Sequence, residues 1–377
     1  MLKEEEKIFS MNNLKILFSM PAVHHVEIAA DEIDGLQKLG YTCGYFPYAA
    51  RAGYNSAPGR LWVIIQNAFG LITIARSFRP GVIYFNSRLE VLAGIRDVIT
   101  ICLFKTFLKY PVKFIIKSHG SDIDILSDKG FLMSKIILPY LKRNISGWLF
   151  LSTEEKNKVI QTGYFAPDKI FTTKNIVRTG QFKPDKLFKS KLNISDDHRV
   201  LLFVGRVIKE KGVFEVVEAF SRIKDAFKVS LVIVGWGSEL ENLKQNCKAL
   251  GLADDIKFTG FIPESDVVQF YANSDILVFP TFFPEGFPMA LFNSVAAGMA
   301  IVTTATRAAK DFLSEPENCL WVEPQNADSV KNALVKLLQS DVLIAGMKTN
   351  NLNTGHLFSE EQVCRELSET IQTIVKQ

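Results

Sequence analysis

Both halves of the chain alternate short, uninterrupted apolar runs with longer helical segments, and few architectures tolerate that pattern. In the first half, the runs at 15–19, 82–85, 114–117, 148–151 and 170–172 have strand length, and helix-length segments occupy about 26–39, 61–78, 89–108 and 131–144. In the second half, the strand-length runs fall at 200–204, 230–234, 256–258, 276–279 and 300–303. A strand that is apolar throughout is covered on both faces, and an intervening helix returns the chain so that successive strands run parallel. The predicted fold class is α/β, with two doubly wound, Rossmann-like domains and a cleft between them. A length of 377 residues suits two domains better than one core. The polar stretch 183–198 reads as the linker, giving domains 1–187 and 198–358. Ligands of such sheets sit beyond the carboxyl ends of the strands, so chemistry is sought in the loops that follow them.

Composition narrows the setting. The five cysteines (Cys43, Cys102, Cys247, Cys319 and Cys364) are scattered, with no C-x-x-C pair. No disulfide framework and no zinc site are expected, and a reducing, cytoplasmic location fits. Residues 1–10 are charged and lack an apolar core, so no secretory leader is read there. The most apolar stretch, 98–116, is interrupted by Lys105, Lys109 and Lys113, so no membrane span is expected. Charge is uneven: residues 1–190 hold 26 Lys+Arg against 16 Asp+Glu (+10), and residues 191–377 hold 18 against 24 (−6), summing to the overall +4. A basic first half can attract a phosphorylated acceptor or an anionic lipid surface. Without a recognised binding motif, nucleic acid is not expected as a partner.

Three strand ends in the second half carry candidate chemistry. After the first strand comes Gly205-Arg206, then Lys209, Glu210, Lys211 and Gly212, with helical periodicity starting at Val213. Glycine, cations and a helix start make a diphosphate cradle, although basic residues in such a loop are also compatible with plain solvation. After the second strand, Gly235-Trp236-Gly237-Ser238 leads to Glu241. Ser238 and Glu241 read as a capping box, and the full G-x-G-x-x-G spacing of a dinucleotide site is missing. The fourth strand, 276–279, runs through Pro280 into Glu285-Gly286-Phe287-Pro288, and Pro288 suits the first helical position. A carboxylate beside a glycine, just ahead of a helix, can hold a polar ligand or be a solvated loop acid. In the first half, the strand at 114–117 ends in Ser118-His119-Gly120, followed by Asp122 and Asp124.

These elements resemble those of the retaining, nucleotide-sugar-dependent glycosyltransferases of the GT-B fold, glycosyltransferase family 4. Gly205-Arg206 followed by Lys211-Gly212 matches the family's G-R-x4-K-G element, and His119-Gly120-Ser121-Asp122 its H-G-x-D element. Glu285 matches the first acid of its acid-x7-acid signature, where the second acid is replaced here by Asn293. The resemblance implies that Gly205, Arg206 and Lys211 hold the donor's pyrophosphate and that Gly235 lines the nucleotide pocket. It implies that Glu285 contacts donor sugar hydroxyls, with the backbone of Gly286, Phe287 and Pro288 near phosphate. Asn293 takes the ribose-binding place without the charge, and His119 lies beside the reacting sugar. The catalytic set implied is His119, Glu285, Arg206 and Lys211.

The donor implied is a UDP-, GDP- or ADP-sugar, with no separate cofactor and no metal. The acceptor is a glycan or a lipid-linked molecule, with peripheral membrane contact through the basic first domain and the amphipathic segment 60–79. The final helix, about 359–377, is expected to return to the first domain. Two features depart from the family pattern. The loop after the first strand reads Pro21-Ala22-Val23-His24-His25 where the family commonly has paired glycines. Asn175 is followed by Ile176 where the family has glycine. With the missing second acid, these leave open a catalytically silent relative that binds nucleotide or a partner subunit.

Overall fold

The computed structural model describes residues 14–21, 26–48, 53–54, 56–120, 130–252 and 254–377. The chain divides into two compact units. The first runs to Ile176 and takes up Glu360–Gln377, and the second is Val177–Ser359.

The first unit is a six-stranded sheet in the order β2-β1-β3-β4-β5-β6. Its strands are β1 (Lys15–Met20), β2 (Thr42–Pro47), β3 (Val82–Ser87), β4 (Lys113–Ser118), β5 (Gly147–Phe150) and β6 (Ile170–Thr172), every pair parallel. Its helices are α1 (Val26–Lys38), α2 (Ala57–Phe78), α3 (Val91–Phe107), α4 (Leu138–Asn144, preceded by a π-turn at Met133–Ile137) and α5 (Thr153–Gln161). Local chemistry sets their ends. Ser56 Oγ accepts the Gly59 N–H and Pro58 fills the first turn of α2, while Ser152 caps α5 in a reciprocal bond with Glu155.

The second unit repeats the plan in the order β12-β11-β10-β7-β8-β9. Its strands are β7 (Arg199–Val204), β8 (Val229–Val234), β9 (Ile256–Gly260), β10 (Ile276–Phe279), β11 (Ala300–Thr304) and β12 (Leu320–Val322). Its helices are α6 (Phe188–Lys191), α7 (Val213–Ser221), α8 (Leu240–Ala249), α9 (Glu264–Asn273), α10 (Met289–Ala296), α11 (Arg307–Phe312), α12 (Ala327–Leu338) and α13 (Asp341–Gly355). The last helix, α14 (Glu360–Lys376), sets Leu367, Ile371 and Ile374 against Ile16, Phe18 and Tyr84 of the first sheet. Beneath it, Lys117 and Glu32 form a fully buried ion pair.

Several expectations need correction. The stretch read as a linker belongs to the second unit, which starts at Val177 rather than after residue 187. Phe188 packs edge-on against Phe270, and the Asp185 N–H donates to Asn273 at 2.6 Å, so this polar segment is tied to α9. The capping box is not formed, because α8 starts at Leu240 with Glu239 as its N-cap, and Glu241 instead pairs with Lys244. Pro288 is the N-cap of α10, one position before the helix. Helix α2 is long and apolar enough by composition to cross a membrane. Its inward stripe (Val63, Ala68, Leu71, Ile72, Ala75) is nevertheless packed in the first unit's core, leaving Leu61, Trp62 and Phe69 exposed.

Candidate functional site

Each sheet reverses its strand order once. In the second unit, the chain lays down β7, β8 and β9 in one direction and then returns to add β10 on the other side of β7. The loops leaving β7 and β10 therefore part at a switch point, which is where doubly wound sheets bind ligands.

The loop after β7 carries Gly205 and Arg206, then a single 3-10 turn (Lys209–Lys211) ending on Lys211. Gly212 turns the chain into α7 at φ 73°. A Cβ there would stand 2.4 Å from the Pro280 carbonyl oxygen, so glycine is what lets the two loops touch. The Phe282 and Phe283 N–H groups both donate to the Glu210 carbonyl at 2.9 Å and fix that contact. With the loops joined, the Lys211 ammonium and the Glu285 carboxylate form an ion pair. The Arg206 guanidinium lies 4.9 Å from the Phe283 ring centroid and Lys211 Nζ lies 5.0 Å from it. Phe283, which sequence reasoning missed, thus supports both cations on one ring.

The structure brings Arg206, Lys211 and Glu285 together from two loops. Arg206 is exposed and Lys211 buried. Burial, and then the neighbouring Arg206 charge, pull the Lys211 ammonium down to about 7. The touching Glu285 carboxylate works in the opposite sense and favours the cation. Two cations and a carboxylate just ahead of α10 can neutralise an anion and orient the hydroxyls attached to it.

The other predicted residues divide by role. Phe287 stacks on Phe292 at 3.8 Å between centroids and meets Phe358, so its side chain anchors the loop and a ligand can use only its backbone. Gly286 and Pro288 are buried beside it. Asn293, buried on α10, hydrogen-bonds the buried hydroxyl of Tyr271 on α9. Burial raises the Tyr271 pKa, and the Asn293 bond partly opposes that rise. Gly235 serves close packing, since a Cβ there would fall 1.8 Å from the Gly205 carbonyl oxygen. It holds the loops after β7 and β8 together, helped by the Val207 N–H bond to the Trp236 carbonyl.

The first unit has its own switch point, between β1 and β3. There the Asn86 backbone N–H donates to Ser19 Oγ at 2.7 Å, and Asn86 Nδ2 donates to the Ser19 carbonyl at 2.9 Å. With Nδ2 committed, Asn86 Oδ1 faces His119 Nε2 at 2.8 Å. An amide oxygen only accepts, so this network assigns the His119 proton to Nε2. His119 is buried at the end of β4, and neither Ser19 nor Asn86 stood out in the sequence. His24, His25, Asp122 and Asp124 lie outside the described residues. Among the described residues, no group of three or more His, Cys, Asp or Glu side chains is placed to hold a metal ion.

Residues 185–353 match the family model described as glycosyl transferases group 1. The chain is 26% identical over 292 residues to the capsular polysaccharide biosynthesis glycosyltransferase CapM of Staphylococcus aureus, covering 77% of this chain and 71% of that protein. It is 26% identical over 185 residues to the N,N'-diacetylbacillosaminyl-diphospho-undecaprenol alpha-1,3-N-acetylgalactosaminyltransferase of Campylobacter jejuni, covering 49% and 47%. The chain spans about half the length, or less, of the curated relatives it matches first. The crystal structure of Anabaena Alr3699/HepE in complex with UDP and glucose superposes with a TM-score of 0.74 at 17% identity, covering 95% of this chain and 99% of that one. The fold is therefore GT-B.

Proposed function

From the premise that residues 185–353 belong to the glycosyl transferases group 1 family, on a chain with the GT-B fold, we propose a retaining glycosyltransferase that uses a nucleoside-diphosphate sugar. One observation carries this reading: Arg206, Lys211 and Glu285 converge at the switch point between β7 and β10, inside the matched region. The donor is a UDP-, GDP- or ADP-sugar. Its diphosphate lies against Arg206 and Lys211, with the start of α10 close by. Glu285 releases Lys211 to the phosphate and turns to the sugar hydroxyls.

In the reaction, the bond between the sugar C1 and the β-phosphate oxygen breaks. An acceptor hydroxyl oxygen bonds to C1 on the same face, and its proton passes to the departing phosphate oxygen. Negative charge grows on that diphosphate, and Arg206 with Lys211 stabilises it, so the chemistry needs no divalent metal. Asn293 and Tyr271 shape the ribose end of the pocket, and Asn293 accepts from ribose through its carbonyl without a formal charge. His119, held by Asn86, is the first unit's candidate for contact with substrate.

The acceptor is a glycan or lipid-linked molecule of surface polysaccharide or glycoconjugate synthesis, in line with what the names of the relatives say of those proteins. The exposed Leu61, Trp62 and Phe69 of α2, on a basic unit, suit peripheral contact with the cytoplasmic face of a membrane.

Thermal-shift titration with UDP, GDP and ADP tests the donor site, followed by product analysis with the matching sugar nucleotides. Stabilisation by one nucleotide and transfer with retained anomeric configuration are expected. No stabilisation by any of the three overturns the reading. Stabilisation without turnover of any sugar nucleotide points instead to a silent, nucleotide-binding relative or partner subunit.

A further inference from the structure

At the carboxyl edge of the first sheet, a second group of cations is organised for a ligand that the donor site does not use. Tyr48 follows β2, Ser87 ends β3, and Arg96 and Asp97 sit in the second turn of α3. Asp97 is buried with both oxygens occupied. Tyr48 donates its hydroxyl to Oδ1 at 2.7 Å and Ser87 donates its hydroxyl to Oδ2 at 2.5 Å. Arg96 closes the group, donating from Nε to Asp97 Oδ1 at 3.3 Å and from Nη2 to Ser87 Oγ at 2.9 Å. Its guanidinium carbon lies 4.2 Å from the Tyr48 ring centroid.

The Nε side of the guanidinium is therefore fastened and one face is covered. Arg96 also hydrogen-bonds Tyr48, on a side chain that is 25% exposed. A buried carboxylate, two hydroxyls and an aromatic ring hold one arginine in a fixed orientation. Such effort is out of proportion for a surface cation that only needs solvation.

A second arginine lies at the same strand end. Arg88, exposed and directly after Ser87, brings Nη2 within 3.8 Å of the position a Cβ on Gly120 would occupy. Gly120, whose φ is 80°, directly follows His119 there. The His119 N–H donates to the Ser87 carbonyl at 2.9 Å, so the ends of β3 and β4 are locked together. An oriented arginine and an exposed one, next to a side-chain-free backbone at a sheet switch point, have the chemistry of an oxyanion site.

We infer that Arg96 and Arg88 bind a phosphate or diphosphate group on the acceptor. This assignment rests on the transferase reading and adds the acceptor's chemical class to it. Arg96 supplies the fixed donor and Arg88 the adaptable one, and the Arg96–Asp97 pairing leaves Arg88 as the uncompensated charge. The acceptor's phosphate anchors it at the carboxyl edge of β3 and β4, on the same edge as His119.

Calorimetric titration of the full chain tests this, with UDP kept saturating so that the donor cations are occupied. Geranyl diphosphate and inorganic pyrophosphate serve as probes. Wild type is expected to bind geranyl diphosphate, with affinity lowered about tenfold by Arg88→Gln and at least as much by Arg96→Gln, while UDP affinity stays unchanged. Arg88 is exposed, so its variant keeps the test informative should Arg96→Gln fail to fold. Equal binding of both probes supports a site that reads the phosphate of a soluble acceptor. Binding at least tenfold tighter for geranyl diphosphate supports a lipid-linked one. No binding to the UDP-saturated wild type, or binding that neither variant weakens, overturns the assignment. Failure of UDP itself to bind defeats the donor reading alone, and the dependence of diphosphate binding on Arg88 and Arg96 is then measured without nucleotide.

Discussion

Lys211 and Glu285 pair at the switch point of the second sheet although 74 positions separate them in the chain. Neither loop holds the geometry alone. Gly212 admits the Pro280 backbone, and the Glu210 carbonyl gathers two N–H groups from the opposite loop. In the pair each charge satisfies the other, and in the proposed reaction a diphosphate takes Lys211 and a sugar takes Glu285. Removing either partner leaves a desolvated charge behind, so paired variants are the way to separate binding from folding.

The depressed Lys211 pKa gives donor binding a pH dependence of known sign. With burial and Arg206 holding the ammonium near about 7, the cationic fraction of the ligand-free protein falls as pH rises through that value. A diphosphate favours the cation, so binding at pH 8 takes up a proton and UDP affinity declines above neutrality. Calorimetry in buffers of different ionisation enthalpy measures that uptake. Lys211→Arg, which stays charged, is expected to abolish it. Linkage gives folding the opposite trend: burying the ammonium costs stability below about pH 7, and the cost fades as pH climbs toward the unfolded value. Equal proton uptake in wild type and Lys211→Arg would show that Lys211 is not the titrating group.

Glu285→Ala is expected to abolish sugar transfer, because in the proposed mechanism its carboxylate holds the sugar. Nucleotide binding should survive, weakened by less than about tenfold, since Arg206 remains and only the Lys211 partner is lost. Activity assays beside UDP titration check this. Transfer at the wild-type rate would remove Glu285 from the mechanism.

Asn293 departs from the expected acid, and its surroundings explain how the change is accommodated. Its side chain is buried and bonded to the Tyr271 hydroxyl, so the position is filled by a neutral pair. Asn293→Glu is expected to tighten UDP binding about fivefold through a charge-assisted ribose bond. It should also lower stability by about 1–3 kcal/mol, the cost of burying a carboxylate. Tyr271→Phe costs about 1 kcal/mol or more by leaving the Asn293 amide short of a partner. Chemical denaturation and calorimetry read the two effects separately. Weaker UDP binding in Asn293→Glu would place this residue outside the ribose contact.

Much of the fold was legible because a buried parallel strand is apolar along its whole length. The runs at β1, β3, β7, β8, β10 and β11 announced themselves in that way. The two strands that did not, β2 and β12, are the edges of their sheets. β2 (TCGYFP) has one buried residue and contains glycine and proline, so its sequence looks like a loop and only the parallel register with β1 makes it a strand. β12 is three residues long. The convergence of Arg206, Lys211 and Glu285 was legible because motif spacing carries them. Asn86, Ser19, Phe283 and Tyr271 were not, since single polar or aromatic residues acquire meaning only when loops far apart in sequence meet. The linker reading failed for a related reason: a polar composition says nothing of Asp185 and Phe188 being tied to α9.

Helix α2 makes a surface prediction. Its core stripe is satisfied within the first unit, so Trp62 and Phe69 remain as exposed aromatic side chains, and Phe69 lies 5.3 Å, centroid to centroid, from the exposed Phe107 of α3. Basic side chains of the same unit supply attraction to anionic headgroups. The protein is expected to sediment with anionic liposomes at low salt, and Trp62→Ser/Phe69→Ser to reduce the bound fraction several-fold without changing UDP binding. Absence of sedimentation at low salt rules out membrane contact.

The Asn86–His119 bond predicts a pH effect that a packing role would not produce. Asn86 is fixed by two bonds to Ser19, so its carbonyl oxygen is held facing the imidazole Nε2–H. Asn86→Asp presents a carboxylate at that place, and an adjacent negative charge stabilises imidazolium. If transfer uses the neutral ring, the acidic limb of the kcat/KM profile moves up by about one pH unit. Asn86→Ala removes the anchor without adding charge, so kcat falls while the limb stays within a few tenths of its original position. Acceptor and donor KM values are expected to change less than kcat in both variants, because the residue acts through the orientation of His119. Identical pH profiles for wild type and Asn86→Asp would mean that the histidine does not titrate in the reaction, and Asn86 would then be a structural link between β1 and β3.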